Sequence, residues 1–142
     1  MEHCAVGVEM SDTDNAMTEI REYDARGNLI HCQASDWFES WREYDENNNP
    51  IHYRDSTGFE SWREYDEKGN EIHYRNSDGV ESWCEYDEKG NVIHSRDSDG
   101  YEEWREYDES GNKIYFRDST GYEARITYDE HGKRRIVEYP ND

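Results

Sequence analysis

The chain repeats itself every 21 residues, and this period constrains its fold more than any other feature. The phrase "WREYDEKGNEIHYRNSDG", Trp62 to Gly79, nearly recurs as "WREYDENNNPIHYRDSTG" from Trp41 and as "WCEYDEKGNVIHSRDSDG" from Trp83. Tyr followed by Asp stands at 23, 44, 65, 86, 107 and 128; Ile stands at 30, 51, 72, 93 and 114, with His after the first four and Tyr115 after the fifth. Trp occupies 41, 62, 83 and 104, whereas Ile20 and Arg125 hold that column at the ends. Degenerate outer copies are typical of capping repeats, and a unit this short buries its apolar residues by stacking on its neighbours. About six copies span 18–139, between an N-terminal segment or cap (1–17) and a short tail (140–142).

Within a copy the hydrophobic period is two. "FESWREY" (59–65) and "EIHYR" (71–75) alternate bulky and polar residues, which predicts strands. Between them "DEKGN" offers Gly69 for a left-handed turn, and "NSDG" or "DSTG" closes the next connection. The predicted class is all-β: an antiparallel β-hairpin meander of about a dozen short strands in an elongated, twisted or coiled sheet. Turn length sets the faces. A two-residue turn at Lys68–Gly69 places Tyr65 opposite Ile72 and sends Trp62, Glu64, His73 and Arg75 to the other face. A three-residue turn with a glycine bulge instead puts Trp62 with Ile72 and Tyr74, and Tyr65 with His73. The sequence allows both.

Composition supports a thin but folded structure. The 142 residues fit one domain and carry a formal charge of -20. Leu, Ile, Val and Phe number only 17, a level that in a non-repetitive acidic chain suggests disorder. Twelve Tyr and five Trp offset this, since each buries a ring while keeping a polar atom wet. Cys4, Cys32 and Cys84 are odd in number and unrelated to the repeat, so no disulfide framework is expected. That and the lack of a basic, then apolar, leader point to a reducing cytoplasmic setting. No stretch is long and apolar enough for a membrane-spanning helix.

The unit Tyr-Asp-x-x-Gly-Asn-x-Ile, at "YDARGNLI" (23–30), "YDEKGNEI" (65–72), "YDEKGNVI" (86–93) and "YDESGNKI" (107–114), resembles the YD repeats of the Rhs family. "YDENNNPI" (44–51) lacks the glycine, and "YDEHGKRR" (128–135) lacks the Asn-x-Ile. The resemblance covers about 120 residues. It implies the local hairpin; long arrays of that family wind into a β-sheet shell around a toxin. Six copies are too few to close a shell, no toxin domain is expected after Asp142, and no catalytic residue carries over.

Most chemistry is disfavoured. Histidines of successive repeats lie two strands, or about 9–10 Å, apart, too far to share a zinc ion with ligands at roughly 2.0–2.3 Å. His3-Cys4 and His31-Cys32 form a site only if the N-terminus folds back. "DSDG" (97–100) resembles part of a calcium loop but lacks its closing glutamate. No phosphate loop, nucleophile elbow or HExxH is present. The chain reads as a non-enzyme without cofactor or metal.

What remains is periodic charge. Carboxylates on an open aromatic sheet serve as solvation and edge protection. They also form lines, with Glu43, Glu64, Glu85 and Glu106 in one column and Asp45, Asp66, Asp87 and Asp108 in another. With Trp62 and Trp104 as anchors, these residues are the candidate contacts for a basic protein surface. The acidity disfavours direct binding to nucleic acid or anionic membranes. Small, acidic, non-catalytic inhibitors that mimic nucleic acid and block a nuclease or similar enzyme, antidefence proteins among them, share this profile. The alternatives are an immunity or general interaction module using the aromatic face, an Rhs-type structural fragment, and self-pairing through sheet edges.

Overall fold

The computed structural model describes residues 7–10, 19–35 and 37–139. The His3-Cys4 pair, most of the expected N-terminal cap and the tail lie outside them. Among the described residues there is no helix. The thirteen strands of the described residues follow chain order in one open antiparallel sheet. They are β1 (Gly7–Met10), β2 (Ile20–Tyr23), β3 (Leu29–Ser35), β4 (Phe38–Tyr44), β5 (Pro50–Asp55), β6 (Glu60–Tyr65), β7 (Glu71–Asn76), β8 (Glu81–Tyr86), β9 (Val92–Asp97), β10 (Glu102–Tyr107), β11 (Lys113–Asp118), β12 (Glu123–Tyr128) and β13 (Arg134–Tyr139). Contacts group the chain into two compact units, one holding the residues up to Tyr65 with Tyr74–Gly79, the other Asp66–His73 with Val80 onward.

The YD turn combines both geometries open to the sequence. Asp66 N donates to Asn70 O at 2.9 Å and Gly69 N to Asp66 O at 3.0 Å, a three-residue loop with Gly69 at φ 85°. One residue further the register slips. Tyr86 pairs Val92 but Glu85 pairs His94, so Ile93 is the extra residue of a bulge. The same slip isolates Ile30, Ile51 and Ile114. This bulge cancels the odd loop length. Trp41 therefore pairs Arg54 and Glu43 pairs His52, the face assignment of the two-residue turn reached by another route.

Each remaining motif residue has a backbone task. The Asp87 carboxylate accepts Lys89 N and Asn91 N, both at 2.9 Å, through Oδ1, and Asn91 Nδ2 at 2.8 Å through Oδ2. The Tyr107 hydroxyl donates to Val92 O at 3.0 Å, on the residue just before the bulge of the preceding hairpin. At the opposite turns Ser98 N donates to Glu81 O at 2.7 Å, and Glu81 N donates to Ser98 Oγ at 3.2 Å. Consecutive hairpins are thus joined at both ends by side chain–backbone bonds. That suits a sheet with few buried side chains: among the described residues Ser40, Ser61, Ala124 and Ile126 are the buried ones.

Candidate functional site: an aromatic ladder rimmed by glutamates

One face of the sheet carries a repeated three-layer stack. In the first unit His31 lies against Trp41 with ring centroids 5.3 Å apart, and Arg54 covers the same indole at 4.5 Å. His52, Trp62 and Arg75 repeat this at 5.4 Å and 4.3 Å. In the second unit His73–Trp83–Arg96 and His94–Trp104–Arg117 do the same at 5.1 Å, with the guanidinium at 4.4 Å and 4.2 Å respectively. The planes are within 13° of parallel in each case. Guanidinium over indole is a favourable cation–π arrangement, and it shields rings that a one-layer sheet leaves half-buried.

Glutamates flank the histidines. His52 Nδ1 lies 3.2 Å from Glu43 Oε1 and its Nε2 lies 2.8 Å from Glu60 Oε1. His94 stands likewise between Glu85 and Glu102, at 3.2 Å from each. The rim members Glu43 and Glu85 keep 69 % of their side-chain surface exposed, so both can reach a partner while still touching histidine. Glu64 and Glu106 occupy the equivalent exposed positions.

The Asp column stands apart. Asp45, Asp66, Asp87 and Asp108 sit in the YD turns, and each carboxylate closes its own loop. The hydrogen bond from the Asn side chain is the main cause that holds all four below the ordinary Asp value, with backbone N–H groups assisting. Their charge contributes to the surface potential, but their oxygens are already engaged. Among the proposed contacts, then, the structure groups Glu43, Trp62 and their neighbours on the ladder face and assigns the aspartates to the turns. The arginine caps were not anticipated, although Arg54, Arg75, Arg96 and Arg117 each follow a Trp by the same interval.

Among the described residues no group of three or more His, Cys, Asp or Glu side chains is placed to hold a metal ion. No helix there is long and apolar enough to cross a membrane. Cys32 and Cys84 are free thiols.

Neither a protein-family model nor a curated protein matches the sequence. Solved structures do match the fold. The crystal structure of TcdB2-TccC3-Cdc42 superposes with a TM-score of 0.69 at 15 % identity over 88 % of this chain. The Photorhabdus luminescens Tc holotoxin pore, carrying the TccC3-D651A mutation, gives 0.67 at 18 % over 90 %, and TcdB2-TccC3 gives 0.68 at 14 % over 85 %. The chain spans 8 % of the length of each. Its fold is therefore that of a YD-repeat-like hairpin array, similar to segments of these Tc toxin components.

Proposed function

We propose that this chain is a non-enzymatic binding protein that engages a basic protein surface through the glutamate rim of its aromatic ladder. In the finer form of this reading it is an inhibitor that occupies a groove built for nucleic acid. The supporting observation is the pairing of exposed Glu43 and Glu85 with a stacked base of His, Trp and Arg. Carboxylates that rise from a rigid aromatic floor lose little side-chain freedom on binding. A chain of charge -20 also steers basic partners toward it at low salt.

Capture of partners by the immobilised protein tests this at low and high salt, with and without competing DNA. A nucleic-acid-handling enzyme released by salt and displaced by DNA supports the inhibitor. A partner indifferent to both contradicts it and leaves a dedicated protein epitope.

A second reading draws on the fold likeness itself. Segments similar to this array form a small part of much longer chains, which favours an Rhs-type wall element. On that reading the purified protein associates in a concentration-dependent way, which light scattering detects.

A further inference from the structure

The last hairpin breaks the repeat on the face turned away from the ladder. Tyr128, Thr127 and Ile126 pair Arg134, Arg135 and Ile136 in unbroken register, so the bulge present at Ile93 and Ile114 is absent from this hairpin. Ile136 stands 21 residues after Tyr115, in the column of His94, yet here it lies opposite Ile126. Arg117 covers Trp104 on the ladder face, so its neighbour Phe116, which pairs Ala124, points the other way. Ala124 and Ile126 are buried, whereas Tyr122 and Ile136 keep 39 % and 43 % of their surface exposed. With Phe116, whose ring centroid lies 5.8 Å from that of Tyr122, they line a recess of about 190 Å³.

Cations stand at one end of this recess. Lys113 and Arg134 hold equivalent places in successive hairpins, opposite Tyr107 and Tyr128, and both line the recess. Lys113 Nζ lies over the Phe116 ring at 5.1 Å. Burial holds the Lys113 ammonium below the ordinary Lys value, the charges of Arg105 and Arg134 push it the same way, and no carboxylate counters them. Among the described residues Arg105 alone of these three cations has an ion-pair partner, Glu103. Earlier hairpins are built differently. Leu29, Pro50, Glu71 and Val92 hold the place of Lys113, and Arg21, Arg42, Arg63, Cys84 and Arg105 hold the place of Ile126. An apolar floor with two cations at its end therefore belongs to the last hairpin only.

We propose that this recess binds a short aliphatic carboxylate. Its head lies between Lys113 and Arg134, and its chain runs along Ile126 and Ile136 toward Tyr122. Tyr128 pairs Arg134, so the cationic rung and the Ala124 rung are four residues of β12 apart, or about 13 Å. That length takes a single hydrocarbon chain, and the volume is below the roughly 300 Å³ at which drug-sized sites begin. Arg134 is exposed, so the head end is open to solvent. A carboxylate brings one negative charge to a chain of formal charge -20, whereas a phosphate brings more and is repelled more strongly. The recess faces away from the glutamate rim, so this inference does not depend on the ladder as a binding surface.

Amide NMR shifts of the full chain, titrated with acetate, butanoate, hexanoate and octanoate, test the site. Octanamide and hexyl phosphate serve as comparison ligands, and circular dichroism checks the fold of each variant. Saturable shifts in β11, β12 and β13 are expected, with about two- to fourfold tighter binding per added methylene. Octanamide is expected to bind at least about tenfold more weakly than octanoate, and Lys113→Gln and Arg134→Gln to weaken octanoate by a similar factor. Lys89→Gln removes the same charge at a YD turn outside the recess and is expected to leave the affinity unchanged. The proposal is overturned if no shift saturates, if acetate binds as well as octanoate, or if octanamide matches octanoate. It is equally overturned if hexyl phosphate binds more tightly than hexanoate, or if Lys89→Gln costs as much as Lys113→Gln.

Discussion

The Tyr44 hydroxyl donates to the main-chain carbonyl of Leu29, fifteen residues earlier, at 3.0 Å. Leu29 is the last paired residue before the bulge at Ile30, so the tyrosine of one repeat satisfies a carbonyl beside the irregularity of the previous one. The same bond joins Tyr65 to Pro50, Tyr86 to Glu71, Tyr107 to Val92 and Tyr128 to Lys113. Tyr44→Phe keeps the ring and removes the bond. It is expected to lower stability by about 1 kcal/mol, readable as a shift of the urea midpoint with unchanged slope.

Position 48 offers a natural comparison at the left-handed turn site. Asn48 adopts φ 66°, where Gly90 adopts φ 85°. Asn and Gly tolerate this region and Ala does not. Gly90→Ala is therefore expected to cost about 1 kcal/mol, although its added methyl meets nothing closer than Asn70 Oδ1 at 3.7 Å. Gly90→Asn is expected to cost less than Gly90→Ala. Equal losses in denaturant titrations would mean that contact, not backbone conformation, decides.

Acid stability follows from the turn aspartates. Asp45, Asp66, Asp87 and Asp108 are held below the ordinary value by hydrogen bonds to the charged form. A depressed folded pKa stabilises fully above the unfolded value, near 3.9, and the contribution is lost as pH falls through the folded value. The melting temperature is thus expected to hold between pH 7 and about 5 as far as these groups decide it, and to drop below about 4. Asp87→Asn is expected to melt lower at pH 7 and to show a shallower acid decline.

Capping the ladder with arginine has its own signature. Arg75 covers the Trp62 indole at 4.3 Å, so Arg75→Ala uncovers that ring. Trp62 emission is expected to shift to the red and stability to fall by about 0.5–1 kcal/mol. Arg75→Lys is expected to retain part of both, because lysine keeps the charge but not the planar stacking surface.

Hairpins, period and turns were legible because Tyr, Trp and Ile alternate with polar residues and each loop carries Asp, Asn and Gly at set places. The face assignment was not. It depends on a bulge at Ile51, Ile93 and their equivalents, and a residue that leaves the ladder looks in sequence like any other strand isoleucine. The Glu and Asp columns looked equivalent, two residues apart, yet Glu43 rises from the ladder whereas Asp45 bonds Asn47 and Asn49. Charge counts do not record whether a carboxylate is already occupied, and reversal of Asp66 would disturb a turn as well as an interface.

The central claim, that the ladder rim is the binding surface, is tested most directly by two variants of equal charge. Glu43→Lys with Glu64→Lys and Glu85→Lys reverses the rim; Glu46→Lys with Glu67→Lys and Glu88→Lys reverses three exposed turn-tip glutamates. Affinity for the captured partner is measured for both at one ionic strength, after circular dichroism shows the native fold. The rim variant is expected to lose at least about tenfold and the tip variant much less, because long-range attraction falls alike in both and only the rim contacts differ. Equal losses, or a larger loss in the tip variant, would contradict the ladder as the binding face.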